Sequence, residues 1–221
     1  MRYEIVQAGS SRSFPSPHPF LESASQDAEG VIYLGANAGK AYTDGVRHEY
    51  RTFVAIELGT ECLGIYTGES RGLEGSNVVG FARFRLGDAD PSPLIELVKQ
   101  PGTLPAAVAA AKAAFQAAGL VVAVCNDFPG RIVDRLIRPY FNAALRRLDE
   151  KLAHADDLDK TLCLGLGYPE GPISLLERTG LAHHFRVTQA LYEALGQEPY
   201  APARRARVAA LRSEHASRGK P

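Results

Sequence analysis

With 221 residues the chain is long enough to bury a core without covalent staples, as one large domain or two small ones. Its 25 Lys plus Arg balance 25 Asp plus Glu, so no net field draws it to nucleic acid or to an anionic membrane. Three cysteines, Cys62, Cys125 and Cys163, are far apart and in no C-x-x-C spacing, which points to neither a disulfide framework nor a metal site and suits a reducing compartment.

The opening "MRYEIVQAGSS" lacks the basic start and apolar run of a secretory leader, and no apolar stretch reaches membrane-spanning length. A cytoplasmic protein with no membrane partner is expected. "YEIVQAG" predicts a short strand, and the Ser- and Pro-dense "SSRSFPSPHPF" after it an irregular loop. "GVIYLGA", "TFVAIELG" and "SNVVGFARF" predict three further strands, joined by short pieces rich in Gly, Asp and Ser. "PSPLIELVKQPGT" predicts a fifth strand between prolines. A helix is expected through "LPAAVAAAKAAFQAAG", with Pro105 in its first turn and Gly119 beyond its end. "LVVAVCND" is a continuous apolar run, which suits a buried strand flanked by helices. Strand, helix, strand is the signature of an α/β layer.

Beyond Pro129 the pattern is helical. Ile132, Val133, Leu136, Ile137, Tyr140, Phe141, Ala144, Leu145 and Leu148 make one broad apolar face, with Pro139 expected to kink the helix. Nine apolar positions exceed what one thin helical layer covers, so burial by a partner subunit competes with packing inside the chain. Shorter helices follow in "ADDLDKTLCLG", in "GPISLLERTG" and in "LAHHFRVTQALYEALG". The basic "PARRARVAALRSEHASRGKP" reads as a solvated tail. The expected organisation is a degenerate Rossmann-like α/β domain over residues 1–126 and a helical domain over residues 127–221.

Three stretches carry a resemblance: "CNDFPGRIVDRLIRPYFNAALRRLDE", "DDLDKTLCLGLGYPEGP" and "GLAHHFRVTQALYEALGQEPYAP". In order and spacing they resemble the C-terminal domain of 3-hydroxyacyl-CoA dehydrogenases, over roughly the last hundred residues. "VVGFARFRLGDADPSPLIELVKQPGT" more weakly resembles the end of that family's dinucleotide-binding domain. The resemblance implies a two-domain enzyme, usually dimeric through its helical domain, that oxidises the 3-hydroxyl of an acyl-CoA with NAD in fatty-acid β-oxidation. It implies a His general base, a Glu that orients it, an Asn near the substrate carbonyl and a Gly-rich loop for the cofactor pyrophosphate.

Carried over position by position, the resemblance puts Ala82 at the place of the His, and Ala has no lone pair to take a proton. Glu96 in "LIELV" stands at the place of the orienting carboxylate, as a catalytic remnant or as a solvated or cap-bonded carboxylate. Asp134 stands at the place of the substrate-facing Asn; ionised, it only accepts hydrogen bonds, and a pairing with Arg135 or Arg138 on its own helix is the plainer use. "YEIVQAGSSRSFPSPHPF" offers Gly9 but no second and third Gly for a dinucleotide loop, so no cofactor is expected. "GANAGKA", residues 35–41, lacks phosphate-loop spacing and reads as an ordinary Gly turn. Among the histidines, His183 and His184 point about 100° apart on a helix, and only His48 in "GVRHEYRTF" is worth weighing as a displaced base, with solvent exposure the plainer expectation. No metal-ligand pair is found.

Three functions remain open. One is a catalytically degenerate relative, a pseudoenzyme that binds an acyl-CoA or pairs as a homodimer or with an active paralogue. Another is an active oxidoreductase with catalytic groups relocated to residues 30–75. The third is a purely structural interaction protein.

Overall fold

A computed structural model describes residues 1–25, 28–46, 48–69 and 76–218. Contacts divide the chain into two compact units, residues 1–85 with 90–132, and residues 86–89 with 133–221. Of the stretch considered for relocated catalytic groups, residues 47 and 70–75 lie outside the described residues, as do residues 219–221 of the basic end.

The first unit is a six-stranded sheet whose strands lie side by side in chain order. They are β1 (Tyr3–Gln7), β2 (Gly30–Leu34), β3 (Phe53–Glu57), β4 (Val78–Arg83), β5 (Leu94–Lys99) and β6 (Val121–Asn126). β1 to β4 run parallel, β5 is antiparallel to β4, and β6 is parallel to β5. Side chains alternate between two cores because successive residues of a strand point to opposite faces. Ile32, Leu34, Phe53, Ala55, Val79, Phe81, Ile95 and Leu97 face α4 (Pro105–Ala117), which buries Ala107, Ala110, Ala111, Ala114 and Phe115. The alanines let this helix lie close to the strands. Val31, Tyr33, Val54, Ile56, Val78 and Val98 face the other way, toward Ala38 of α2 (Ala38–Asp44) and Leu63 beside α3 (Gly64–Thr67).

The Ser/Pro-rich loop is more than a connector. It ends in a single helical turn, α1 (Pro19–Glu22), and places Phe14 and Phe20 in the core. Phe20 stacks on Tyr3, Phe14 and Phe115 with ring centroids 5.0, 4.7 and 4.8 Å apart, and the Tyr3 hydroxyl donates to the Phe20 carbonyl at 2.6 Å. Gly30 is required beside this stack: a Cβ there would come within 2.2 Å of the Phe53 ring.

One expectation is corrected. "LVVAVCND" forms β6, but β6 is an edge strand with a half-open surface, Val121 being 60 % exposed, and not a buried strand. Continuous apolar residues fit a strand covered on both faces, yet here the sheet ends at β6 and α4 covers one side only.

The second unit is helical: α5 (Val133–Asp149), α6 (Ala155–Leu166), α7 (Pro172–Thr179), α8 (Leu181–Leu195), a 3-10 turn at Glu198–Tyr200, and α9 (Arg204–Arg218). Phe141, Leu145, Ile173, Leu176, Ala203 and Ala206 form its core. α5 runs through Pro139. Proline has no N–H to give the carbonyl four residues earlier, and that carbonyl, Arg135, accepts instead from the Tyr200 hydroxyl at 3.1 Å. The start of α7 is capped from α6, since Asp159 accepts from the Ile173 and Ser174 N–H groups at 2.8 Å each and from the Ser174 hydroxyl at 2.6 Å.

The basic end is also corrected. Residues 204–218 are a helix and not a solvated tail. Ala203, Ala206 and Ala210 are buried at helical spacing, an apolar stripe too small to stand out among arginines.

Candidate functional site

The carboxyl ends of parallel strands are where α/β sheets gather ligands. Here Glu57, the last residue of β3, is 7 % exposed and ties three segments together. Its Oε1 accepts from the Ser11 hydroxyl at 2.9 Å and the Ser13 N–H at 2.8 Å, and its Oε2 from the Gly35 N–H at 2.6 Å. Gly35 has φ 117°, and a Cβ on it would strike the Gly9 and Ala8 carbonyls at 2.5 and 2.6 Å. So "GANAGKA" opens as a Gly turn, whose donor serves a carboxylate of the chain itself, but its last four residues, 38–41, begin α2 and are not part of a turn. A cavity of about 210 Å³ opens beside Glu57, lined also by Ser10, Arg12, Glu61 and Tyr66. Burial, and then the neighbouring Glu61, push the Tyr66 hydroxyl up to about 12, so it stays protonated and donates to Glu61 at 3.2 Å.

Ala82 and Glu96 are direct cross-strand partners on β4 and β5. Ala82 is buried and offers only a methyl. Glu96 is 2 % exposed and is not solvated. Its Oε1 accepts from the Ile132 N–H at 2.8 Å and its Oε2 from Arg131 Nε at 3.3 Å. Arg131 has φ 52°, a left-handed conformation uncommon for a residue with a side chain, and is 7 % exposed. Asp127, just upstream, accepts from the Leu63 and Gly64 N–H groups at 2.7 and 2.8 Å. Burial, ahead of the nearby carboxylates, pushes the Cys62 and Cys125 thiols up to about 11, which leaves both protonated and poorly nucleophilic.

In the helical unit Asp134 pairs with Arg138, four residues on, at 2.7 Å, the structural use expected of it. The pair opens a buried relay. Arg138, 1 % exposed, donates through Nη1 to His184 Nδ1 at 3.1 Å, which leaves His184 Nε2 to donate to Asn142 Oδ1 at 3.0 Å. Asn142 Nδ2 donates to the Pro199 carbonyl at 3.0 Å. Burial, and then the Arg138 charge, lower the His184 pKa to about 3. This histidine is a neutral structural connector between α5, α8 and the 3-10 turn. The same unit holds an apolar cavity of about 420 Å³ between α5 and α6, lined by Tyr140, Ala143, Ala144, Leu152, Leu158 and Leu162 among others.

Residues 130–219 match the family model described as 3-hydroxyacyl-CoA dehydrogenase, C-terminal domain. That stretch of the chain is therefore a 3-hydroxyacyl-CoA dehydrogenase C-terminal-type domain. It is 34 % identical over 109 residues to a 3-hydroxybutyryl-CoA dehydrogenase of Bradyrhizobium diazoefficiens, a stretch covering 49 % of this chain and 37 % of the relative. It is 38 % identical over 88 residues to the mitochondrial hydroxyacyl-coenzyme A dehydrogenase of Homo sapiens, covering 40 % and 28 %. Both matches span well under half of the relatives' length. The crystal structure of (S)-3-hydroxybutyryl-CoA dehydrogenase from Ralstonia eutropha is similar with a TM-score of 0.71 at 24 % identity, over 86 % of this chain and 69 % of that one. That likeness establishes the fold: a six-stranded, mostly parallel sheet followed by a 3-hydroxyacyl-CoA dehydrogenase-type helical domain.

A cofactor of this family would bring a pyrophosphate to the loop after the first strand, and the residues there do not fit one. Gly9 stands without the further glycines of a dinucleotide loop. The donors Ser13 N–H and Gly35 N–H already hold Glu57, whose charge repels phosphate. Among the described residues the strand order never reverses, so the crevice of a switch point does not form in this sheet. His48, expected to be exposed, is half-buried, with Nε2 3.1 Å from the Tyr33 hydroxyl. Its carbonyl accepts from Asn77 at the amino end of β4, the end of the sheet away from Glu57. It is therefore poorly placed to act as a base. Among the described residues no cluster could hold a metal ion, and no helix is long and apolar enough to cross a membrane.

Sequence reasoning singles out neither the Glu57 cluster nor Arg131. Ser11 and Glu57 are 46 positions apart, Arg131 and Glu96 35 apart, and neither pair follows a spacing motif.

Proposed function

We propose that this chain is a catalytically degenerate member of the 3-hydroxyacyl-CoA dehydrogenase family that binds an acyl-CoA without turning it over. The observation that carries this is the pairing of Ala82 with Glu96: the base position holds a methyl, and the carboxylate that would orient a base is held by Arg131. Oxidation of a 3-hydroxyl needs a group to take the hydroxyl proton as hydride leaves. Neither Ala82 nor the ion-paired Glu96 does so, and Glu57 occupies the donors a dinucleotide would use. What this chain's residues retain is a polar crevice at the strand ends and, in the helical unit, an apolar cavity in the size range of small-molecule sites.

Pairing with a second copy or with an active paralogue is part of the same proposal. Leu136, Leu152, Leu164 and Leu166 of the helical unit are 71, 67, 77 and 64 % exposed, apolar side chains that a second subunit would cover.

Calorimetric titration with NAD, NADH and acetoacetyl-CoA tests the proposal. Saturable binding of the CoA ester with no heat from either nucleotide is the expected result. Tight nucleotide binding would overturn it in favour of an active oxidoreductase. Binding of none of the three would leave a structural interaction protein.

A further inference from the structure

Arg131 has one unexplained feature. Its Nε is committed to Glu96, but its Nη1 is buried and has no hydrogen-bond partner among the described residues. A guanidinium is seldom left this way, because a buried donor without an acceptor loses the hydrogen bonds water gave it. The residue is also held at φ 52°, and backbone strain of this kind gathers at ligand-binding positions. The strain is upheld by specific bonds: the Arg131 N–H donates to the Phe128 carbonyl at 3.2 Å, and the Gly130 N–H to the Thr60 carbonyl at 2.9 Å.

We propose that Arg131 is a ligand-binding residue whose Nη1 receives a neutral carbonyl oxygen, the ketone or thioester oxygen of an acyl thioester. This rests on the acyl-CoA reading above and assigns the residue that recognises the acyl head. The choice of a neutral oxygen follows from charge. Glu96 already balances the Arg131 charge, so the pair as a whole is neutral. Asp127 and Glu61 lie close enough to act electrostatically on Cys62 together with Arg131, and a further anion among them would meet repulsion. A carbonyl oxygen accepts the hydrogen bond without adding charge to a buried site. Glu96 acts as a positioning residue here: it fixes the guanidinium plane through Nε and leaves Nη1 uncommitted. With only the Ala82 methyl opposite Glu96, the group this site offers is a donor to an oxygen and not an acceptor of a proton.

The test follows the Arg131 guanidinium resonance by 15N NMR in wild-type protein. The probes are acetoacetyl-CoA, CoA alone, the neutral acetoacetyl thioester of N-acetylcysteamine, and acetate. Alongside, acetoacetyl-CoA affinity is measured in Arg131→Met and Arg131→Lys. The expected result is a shift with both thioesters and with neither CoA nor acetate, and at least a tenfold loss of affinity in Arg131→Met. If acetoacetyl-CoA binds while the resonance is unmoved, the Arg131 assignment fails and the acyl-CoA reading stands. If acetoacetyl-CoA does not bind but the small thioester moves the resonance, the acyl-CoA reading fails and the assignment stands. A response to acetate alone overturns the neutral-oxygen assignment, and silence to every probe overturns both. The resonance arm needs no variant, so a misfolded Arg131→Met does not blunt it.

Discussion

Ala82 and Glu96 face each other across the antiparallel β4–β5 ladder, a methyl opposite a carboxylate that has turned to Arg131. Directly opposed residues have Cβ atoms about 5 Å apart, so a histidine at position 82 would come near Glu96. It would find that carboxylate already engaged and no dinucleotide loop beside it. The double variant Ala82→His, Asp134→Asn is therefore expected to show no NAD-dependent oxidation of 3-hydroxybutyryl-CoA, followed by NADH absorbance. Measurable turnover would sink the degenerate-enzyme proposal.

Glu57 holds three donors from two segments, the Ser11–Ser13 loop and the turn at Gly35, and its removal strands them. Glu57→Ala is expected to lose at least about 2 kcal/mol in urea unfolding, since each unsatisfied buried donor costs roughly 1–3 kcal/mol. The emptied donors should then accept an inorganic oxyanion. Sulfate should raise the Tm of Glu57→Ala by more than that of the wild type, and equal responses would show that the donors do not act as an anion cradle.

The Tyr200 hydroxyl replaces the hydrogen bond that Pro139 cannot give to the Arg135 carbonyl. Tyr200→Phe should cost about 1–2 kcal/mol. In a Pro139→Ala background the backbone N–H that the substitution restores can serve the same carbonyl, so the second Tyr200→Phe measurement should give a clearly smaller loss. A double-mutant cycle reads the difference directly. Identical losses in the two backgrounds would mean that the hydroxyl matters for some other reason.

His184 makes stability depend on acid. Its folded pKa is lowered to about 3 from 6.5, so below about 6.5 the unfolded chain takes up a proton that the folded chain refuses. The contribution is complete above the unfolded value and is lost as pH falls toward the folded one. Between pH 7.5 and 5 this group alone should remove about 2 kcal/mol. His184→Gln should lose stability at every pH and flatten that part of the slope, as checked by urea unfolding across the pH series. An unchanged slope would show that His184 is not the responsible group.

The elements are legible where they repeat a simple period. All six strands and helices α4 to α8 follow from apolar spacing and from Gly and Pro punctuation. α2 does not, because Gly39 inside it and Gly35 and Gly45 on either side make a seven-residue helix look like a turn. Nor does the edge position of β6, since an apolar run does not say how many neighbours it has. The site is half legible. A resemblance locates Ala82, Glu96 and Asp134, and helix geometry foresees the pairing of Asp134 with Arg138. The partner that Glu96 finds in Arg131, and the use of Glu57 as an internal anion, depend on which strands become neighbours. No local pattern encodes that.

The strand order of the sheet bears on how it is assembled. Each strand from β2 to β6 pairs with the one made just before it, so no early strand waits beside a gap for a distant segment to arrive. The separations that must close are those of single connections, which keeps the entropy of closure low. As the chain emerges amino end first, the sheet can grow by accretion, one strand at a time, with α4 added between the last two.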